Sequence, residues 1–485
     1  MPRFEYFVDG KRVAFRAEPL ARLLNAPTRA RSRSVGGARA ETAPRLASLA
    51  RGLHAQPEQM TRSFHNVSES ETLVQAGGRG EALAILTEAI TVEGAAKSEL
   101  KWLRDHHGFK VLTEGLSGKA LLRAPEGGPN GVKAAFEAAA ELFTRRKCQA
   151  AHPNFLRAFR RPRRSNAATA PASEQWNLEN LGQVGVAGAD VRANAAWALT
   201  RGEATIRVAV LDDGVETRNA ALKAAVVLER DAVKGNDHAR PSRKDSHGTA
   251  CAGIIASQDR NVRGLAPGVR LVGVRIVASA SDDDELWASD FDLADAIDWS
   301  WETAKADVLS NSWCGGPPVD VITRAIGRAA ERGRNGRGAV VVFAAGNEQA
   351  PVCYPATLPT VLGVGASNQW DERKVRSSRD GEDWWGSNYG DGLDLVAPGV
   401  AIATTDIGAG ARFVRDFNGT SAATPHVAAV AGLVLSLRPD LAEHRVRDLI
   451  RKSADRLGKG RRPSRFVGYG RLNAHAALLR ARAAK

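Results

Sequence analysis

The stretch Phe417-Asn418-Gly419-Thr420-Ser421-Ala422-Ala423-Thr424-Pro425-His426 runs on into the apolar Val427-Ala428-Ala429-Val430-Ala431-Gly432-Leu433-Val434-Leu435. It reads as a turn feeding a helix, with a hydroxyl presented at the helix start. Gly419 allows a sharp turn and Ser421 falls in the first helical turn. Pro425 is expected early enough that its missing N–H breaks no ladder bond. A hydroxyl there lies at the positive end of the helix dipole, among unpaired backbone N–H groups able to hold a developing oxyanion. Ser and Thr also cap ordinary helices, so the stretch alone leaves nucleophile and N-cap open.

Upstream, from Trp176 onwards, apolar strands alternate with helical stretches, the pattern of a doubly wound α/β domain with a mainly parallel sheet. Ile206-Arg207-Val208-Ala209-Val210-Leu211, Leu271 to Val277, Val308-Leu309-Ser310 and Ala339 to Ala344 read as buried strands. In such sheets the working groups gather at the carboxyl ends of the strands. One strand ends in Asp212-Asp213-Gly214, which is either a turn or a rigidly held carboxylate. Another ends in Ala344-Ala345-Gly346-Asn347-Glu348, which is either a turn or an amide donor suited to an oxyanion. Asp245-Ser246-His247-Gly248-Thr249-Ala250-Cys251 places a histidine at the head of an apolar helix.

Taken together, in the chain order Asp, His, Asn, Ser, these segments resemble the subtilisin-like serine proteases, whose triad runs Asp, His, Ser along the chain. The resemblance covers roughly residues 176–480 and includes Gly264-Leu265-Ala266-Pro267-Gly268, Tyr354-Pro355-Ala356, Val396-Ala397-Pro398-Gly399 and Gly468-Tyr469-Gly470-Arg471-Leu472-Asn473. It implies Ser421 as nucleophile, His247 as general base, Asp212 as the group orienting His247, and Asn347 with the Ser421 N–H as oxyanion donors; Asp213 receives no task. It also implies that Ser310-Asn311-Ser312-Trp313-Cys314-Gly315-Gly316 pairs with a substrate peptide, with Ser312, Trp313, Gly315 and Gly316 at the substrate and one extra residue near Cys314. Acidic residues after Ser281, among them Asp290, Asp292 and Asp295, fall where the family builds upstream subsites. As in kexin-like members they would favour Arg or Lys before the cut, and Glu348 sits at the pocket rim. The segment Val215 to Leu222 lacks a usual calcium-ligand Asp, so no residue is assigned as a metal ligand. The chemistry requires no cofactor, and structural calcium is left open.

Residues 80–160 read as a small βαββαβ unit, an α+β ferredoxin-like arrangement that resembles the family's propeptide, down to Ala151-His152-Pro153-Asn154-Phe155 with His152 where relatives carry an acid. The helices are expected over 96–107 and 132–146, and two strand signals over 82–86 and 89–92. The chain then divides into an N-terminal part, 1–70, with a hairpin turning at Asp9-Gly10 and a basic flexible stretch over 28–37. The propeptide-like domain spans 71–164, a linker 165–175 and the catalytic domain 176–485. Arg164 closes the run Arg160-Arg161-Pro162-Arg163-Arg164 and is the expected processing site of a zymogen.

The chain has 485 residues, a net charge of +14 and 43% hydrophobic residues, enough to fill a sizeable core. Its basic excess lies towards the two ends and leaves the middle acidic, which suits ends docking on a core better than nucleic-acid binding. The partners expected are a protein or peptide substrate and the chain's own propeptide-like domain, without nucleic acid or membrane. No run is expected to reach membrane-spanning length, and the charged start lacks a signal sequence, so a cytoplasmic enzyme is expected unless a leaderless route exports it. Cys148, Cys251, Cys314 and Cys353 read as free thiols, which suits a reducing compartment and leaves a single disulfide open, with Cys251 a small buried hydrophobe one helical turn beyond His247. Two other uses of the same residues are an inactive or permanently blocked binding protein, and a peptide ligase or macrocyclase.

Overall fold

The computed structural model describes residues 3–8, 10–19, 73–75, 84–160, 175–242, 245–279, 285–458 and 463–484. The basic stretch 28–37, Arg164 with its expected cleavage, and the acidic run 281–284 lie outside them. The chain divides into two units, one formed by 1–161, 277–298 and 315–325, the other by 162–276, 299–314 and 326–485.

In the first unit, β1 (Arg3–Val8) and β2 (Lys11–Pro19) pair antiparallel with Val8 opposite Lys11. Gly10 there has φ +70°, the left-handed conformation such tight hairpins demand. β3 (Leu73–Gln75) connects this hairpin to β4 (Ala84–Glu93). Residues 84–86 and 89–92, expected to belong to separate signals, lie on one strand, and β4 is buried along its whole length; residues 82 and 83 of the first signal lie outside the described residues. α1 (Lys97–His107), β5 (Lys110–Gly115), β6 (Lys119–Arg123), α2 (Gly128–Thr144) and β7 (Ala150–Arg160) follow.

The strand order β5-β6-β4-β7 is antiparallel throughout. α2 begins at Gly128 rather than Val132, since Pro129 occupies the first turn, where its missing N–H leaves no bond unmade. One sheet face, with Ile90, Val92, Leu122 and Ala151, packs on Leu103 of α1 and on Ala135, Ala138, Ala139 and Leu142 of α2. The opposite face meets Phe291 through Ala89 and Leu121. β7 carries a further antiparallel partner, β12 (Glu285–Ser289), with Arg157 opposite Ala288, and β12 pairs in turn with β11 (Ala278–Ser279).

The second unit is built on a parallel sheet. β8 (Arg207–Asp212), β9 (Val226–Asp231), β10 (Arg270–Arg275), β13 (Val308–Asn311), β14 (Val340–Ala344), β15 (Leu362–Ser367) and β16 (Leu395–Pro398) stand in the order β16-β15-β14-β13-β8-β10-β9. Every pairing is parallel. From β8 the strands proceed one way to β10 and β9 and the other way to β13, so the order reverses between β8 and β13. Ligand sites of open α/β sheets form at such a reversal.

Around the sheet lie α3 (Ala193–Trp197), α4 (His247–Ala256), α7 (Thr420–Leu437), α8 (Glu443–Ser453) and α9 (Ala474–Ala483), while α5 (Asp290–Glu302) and α6 (Asp320–Gly336) span the boundaries between the units. A hairpin of β17 (Ile402–Thr405) and β18 (Phe413–Phe417) leads into α7. Val427 to Leu435 of α7 pack with Val208, Val210, Val340, Val342, Leu362 and Val364 of the sheet in a single core. The expectation that no run reaches membrane-spanning length is corrected here. α7 has 18 residues and is apolar enough, and it is 89% buried within the protein. A helix with apolar residues on every side is long and greasy because it lies at the centre of a core.

Candidate active site

Three of the sheet's carboxyl ends supply the site. β8 ends in Asp212, whose Oδ1 accepts His247 Nδ1–H at 2.8 Å and the N–H of Asp213 at 2.8 Å. Its Oδ2 is buried with no hydrogen-bond partner among the described residues. His247 opens α4, and the helix start is held from outside. Asp213 Oδ2 accepts the N–H of His247 at 3.0 Å and Oδ1 that of Gly248 at 2.7 Å. Asp213 thus acts as a carboxylate cap on the positive end of α4 and fixes the backbone of the histidine. The sequence reading gave this residue no task, although its place next to Asp212 was the available clue.

Gly248 admits no side chain, because a Cβ there would lie 2.4 Å from Gly214 O and 2.8 Å from the Asp212 Cβ. The Phe417 ring stands edge-on to the imidazole at 5.2 Å.

Burial alone would lower the His247 pKa. The Asp212 charge and its hydrogen bond outweigh that cost and hold it well above 6.5. Cys251 Sγ lies 4.0 Å from His247 Nδ1, and burial pushes its thiol up to about 11. Asp213, buried beside Asp212, is raised to about 7 by desolvation first and by the neighbouring carboxylate second.

Ser421 sits in the first turn of α7 and is buried. The expectation that Pro425 breaks no ladder bond is corrected, because its absent N–H would have met the carbonyl of Ser421, four residues back and already helical. That carbonyl is instead taken by Ser312 Oγ at 3.0 Å and by Cys251 Sγ at 3.6 Å. The proline therefore frees an acceptor that binds both the segment after β13 and α4 to Ser421. Ser421 Oγ donates to Ser312 O at 3.1 Å. Among the described residues no hydrogen bond joins Ser421 Oγ to His247.

Asn347 follows β14, and its Oδ1 accepts both the N–H and the Oγ1–H of Thr420, at 2.8 and 3.0 Å. Fixing the amide oxygen in this way leaves Nδ2 as the free donor, and the fixing residue precedes Ser421 directly. A Cβ on Gly419, which has φ +116°, would lie 3.2 Å from that Nδ2. Glu348 is exposed, and its Oε2 accepts the Asn347 N–H at 2.8 Å.

The other expected substrate residues are distributed as follows. Ser312 faces Ser421 as described, whereas the Trp313 side chain is buried and packs edge-on against Phe343 at 4.9 Å, which leaves only its backbone for a peptide. Gly315 and Gly316 belong to the first unit. There Gly315 O accepts Arg157 Nη1–H at 2.7 Å, and a Cβ on Gly316 would lie 2.3 Å from that nitrogen. Asp290 is buried and ion-paired with Arg157, whose Nη2 also donates to Pro317 O at 2.7 Å. Asp295 Oδ1 accepts the Leu116 N–H at 2.8 Å and stands 3.7 Å from Lys119 Nζ, which is also paired with buried Asp298. Asp292 exchanges hydrogen bonds with Ser289 at 2.8 and 3.1 Å in a local cap.

Cys314 and Cys353 form a disulfide with Cα atoms 5.8 Å apart, which corrects the reading of four free thiols and removes that argument for a reducing compartment. Cys148 and Cys251 are free. The pairing was invisible in the sequence because 39 residues separate the two cysteines and only the sheet brings them together.

Among the described residues, the group of side chains able to share an ion is Asp212, His247 and Cys251. A thiol and an imidazole do not suit calcium, which takes oxygen ligands. In the segment after Gly214, Glu216 is occupied by Arg218 at 2.8 and 2.7 Å. The described side chains therefore do not fit a calcium centre at either place.

The subtilase family model matches residues 203–470. A calcium-dependent protease of Nostoc sp. is 31% identical over 397 residues, covering 72% of this chain and 56% of its own length. The subtilisin of Bacillus pumilus is 32% identical over 285 residues, 56% of this chain and 90% of that protein. The crystal structure of an Aeromonas sobria serine protease in complex with its chaperone shares the fold, with a TM-score of 0.56 at 21% identity over 64% of this chain and 67% of that one. The chain thus spans a little over half the length of the calcium-dependent protease it matches. With its parallel sheet and with Asp212, His247, Asn347 and Ser421 on the matched segment, the chain belongs to the subtilase family, the subtilisin-like serine proteases.

Proposed function

We propose that the chain is a serine endopeptidase that hydrolyses peptide bonds through an acyl-enzyme on Ser421. The observation that carries this reading is the His247 Nδ1–H bonded to buried Asp212 at 2.8 Å, on the sheet edge where Thr420 ties Asn347 to the residue preceding Ser421. Asp212 fixes the tautomer, leaving Nε2 of His247 to take the Ser421 proton as Oγ attacks the scissile carbonyl. Asn347 Nδ2 and the first-turn N–H of Ser421 receive the tetrahedral oxyanion. His247 returns the proton to the leaving amine, and water repeats the sequence to release the acid. No cofactor takes part. The Nostoc relative is named for its calcium dependence, and no step here uses the ion.

The same reading makes the βαββαβ unit a ferredoxin-like propeptide of a zymogen. Support comes from β7, which pairs antiparallel with β12 as an added strand, the mode in which extended peptides are commonly recognised. The acids of α5 take basic side chains there, Asp290 holding Arg157 and Asp298 holding Lys119, which supports a preference for Arg or Lys in substrates. Cleavage near Arg164 would release the enzyme.

Mass spectrometry of the purified protein should find a new N-terminus within 160–175, and Ser421→Ala should stay full length. Equal processing of both proteins would sink self-cleavage. The fully buried pairs of Arg157 and Lys119 also favour a second reading, a chain permanently blocked by its own N-terminal part. A fluorophosphonate probe decides between them, since labelling of Ser421 after trimming supports the enzyme and no labelling under any treatment supports the blocked form.

A further inference from the structure

Neither sulfur of the Cys314–Cys353 disulfide is used by the chemistry above, yet the bond joins the two segments that flank Ser421. Cys314 lies two residues beyond Ser312, whose carbonyl accepts Ser421 Oγ at 3.1 Å and whose hydroxyl donates to Ser421 O at 3.0 Å. Cys353 closes the loop that carries Asn347, and its N–H donates to Ala345 O at 3.2 Å. A Cβ added to Gly346 would lie 2.8 Å from Cys353 Sγ, so the sulfur packs directly against the peptide leading into Asn347. The amide oxygen of Asn347 is anchored from the α7 side by Thr420. From the opposite side, the covalent tie to the Ser312 segment holds the loop.

We propose that Cys314 and Cys353 are a positioning pair. Their bond keeps Asn347 Nδ2 where the oxyanion forms, and opening it with a dithiol lowers turnover. The inference rests on the protease reading.

In the opening step, a thiolate of the dithiol attacks one sulfur, the protein S–S bond breaks and a mixed disulfide forms. The second thiol then displaces the protein sulfur. Two electrons and two protons pass to the cysteine pair, and the reductant leaves as a cyclic disulfide. A loosened donor loses part of its transition-state stabilisation and leaves substrate binding nearly as it was.

The test measures kcat and KM on a peptide substrate before and after dithiothreitol treatment, with thiols counted after denaturation. The count should rise by two, from one to three where cleavage near Arg164 has removed Cys148 and from two to four where the chain is whole. kcat should fall on the order of tenfold with KM changed less than about twofold, and reoxidation should restore it. A Cys314→Ala/Cys353→Ala double variant should show the same fall and ignore the reductant. In an Asn347→Ala background, reduction should change kcat little, because the clamp acts through that side chain.

A merely structural bond would lower Tm and act equally in both backgrounds. Full kcat after the count has risen by two, an equal loss in the Asn347→Ala background, or a count that reduction leaves unchanged would each overturn the clamp alone. Absence of turnover and of fluorophosphonate labelling in the oxidised protein would overturn the protease reading and the clamp with it.

Discussion

Asp212 and His247 carry the first prediction at the scale of single residues. Since the buried carboxylate raises the imidazole pKa well above 6.5, and the base works only when neutral, kcat/KM should rise with pH through an inflection above 6.5. Asp212→Asn should move that inflection downward and cut kcat by about 10⁴, read from pH–rate profiles of the two proteins. The same raised pKa has a stability consequence of fixed sign. It contributes stability that is complete below pH 6.5 and is lost as pH rises through the folded value. Asn347→Ala should lower kcat by about 10²–10³ with little change in KM, the magnitude established for the corresponding donor in subtilisin.

At the scale of elements, the start of α4 is set by close approach. Gly248→Ala would drive a Cβ into Gly214 O, against backbone that cannot swing aside. A loss of about 1–3 kcal/mol is expected in denaturant titrations, together with a fall in kcat as His247 is displaced. The β7–β12 pairing depends on a buried charge in the same way. Arg157→Ala leaves Asp290 without its guanidinium in a dry site, which should destabilise the first unit by about 3–5 kcal/mol. Replacing Arg157 and Asp290 together by apolar residues should recover much of that loss, and a double-mutant cycle of unfolding free energies checks both statements.

For the molecule as a whole, acid stability depends on a histidine outside the chemistry. His426 is buried in α7, its Nδ1–H donating to Ala422 O at 2.8 Å and its Nε2 accepting from Asn177 Nδ2 at 2.8 Å, and burial lowers its pKa to about 4. An unfolded chain binds the proton at 6.5, so this group removes stability as pH falls from 6.5 towards 4, by about 3 kcal/mol at the lower end. Unfolding of Ser421→Ala, which spares the sample from self-digestion, should show a shallower pH slope in that window once His426→Gln is added.

Local sequence determined those features that one strand or one helix decides. The strand-end Asp212 and Asn347, the helix-start His247 and Ser421, and the parallel α/β class were all legible, because apolar periodicity and turn residues act over a few positions. Pairings across long separations were decided only by the tertiary structure: the disulfide of Cys314 and Cys353, the capture of Asp290 by Arg157, and the rescue of the Ser421 carbonyl by Ser312 and Cys251. Each of those contacts depends on which strands lie side by side, and strand order follows from burying the whole core at once.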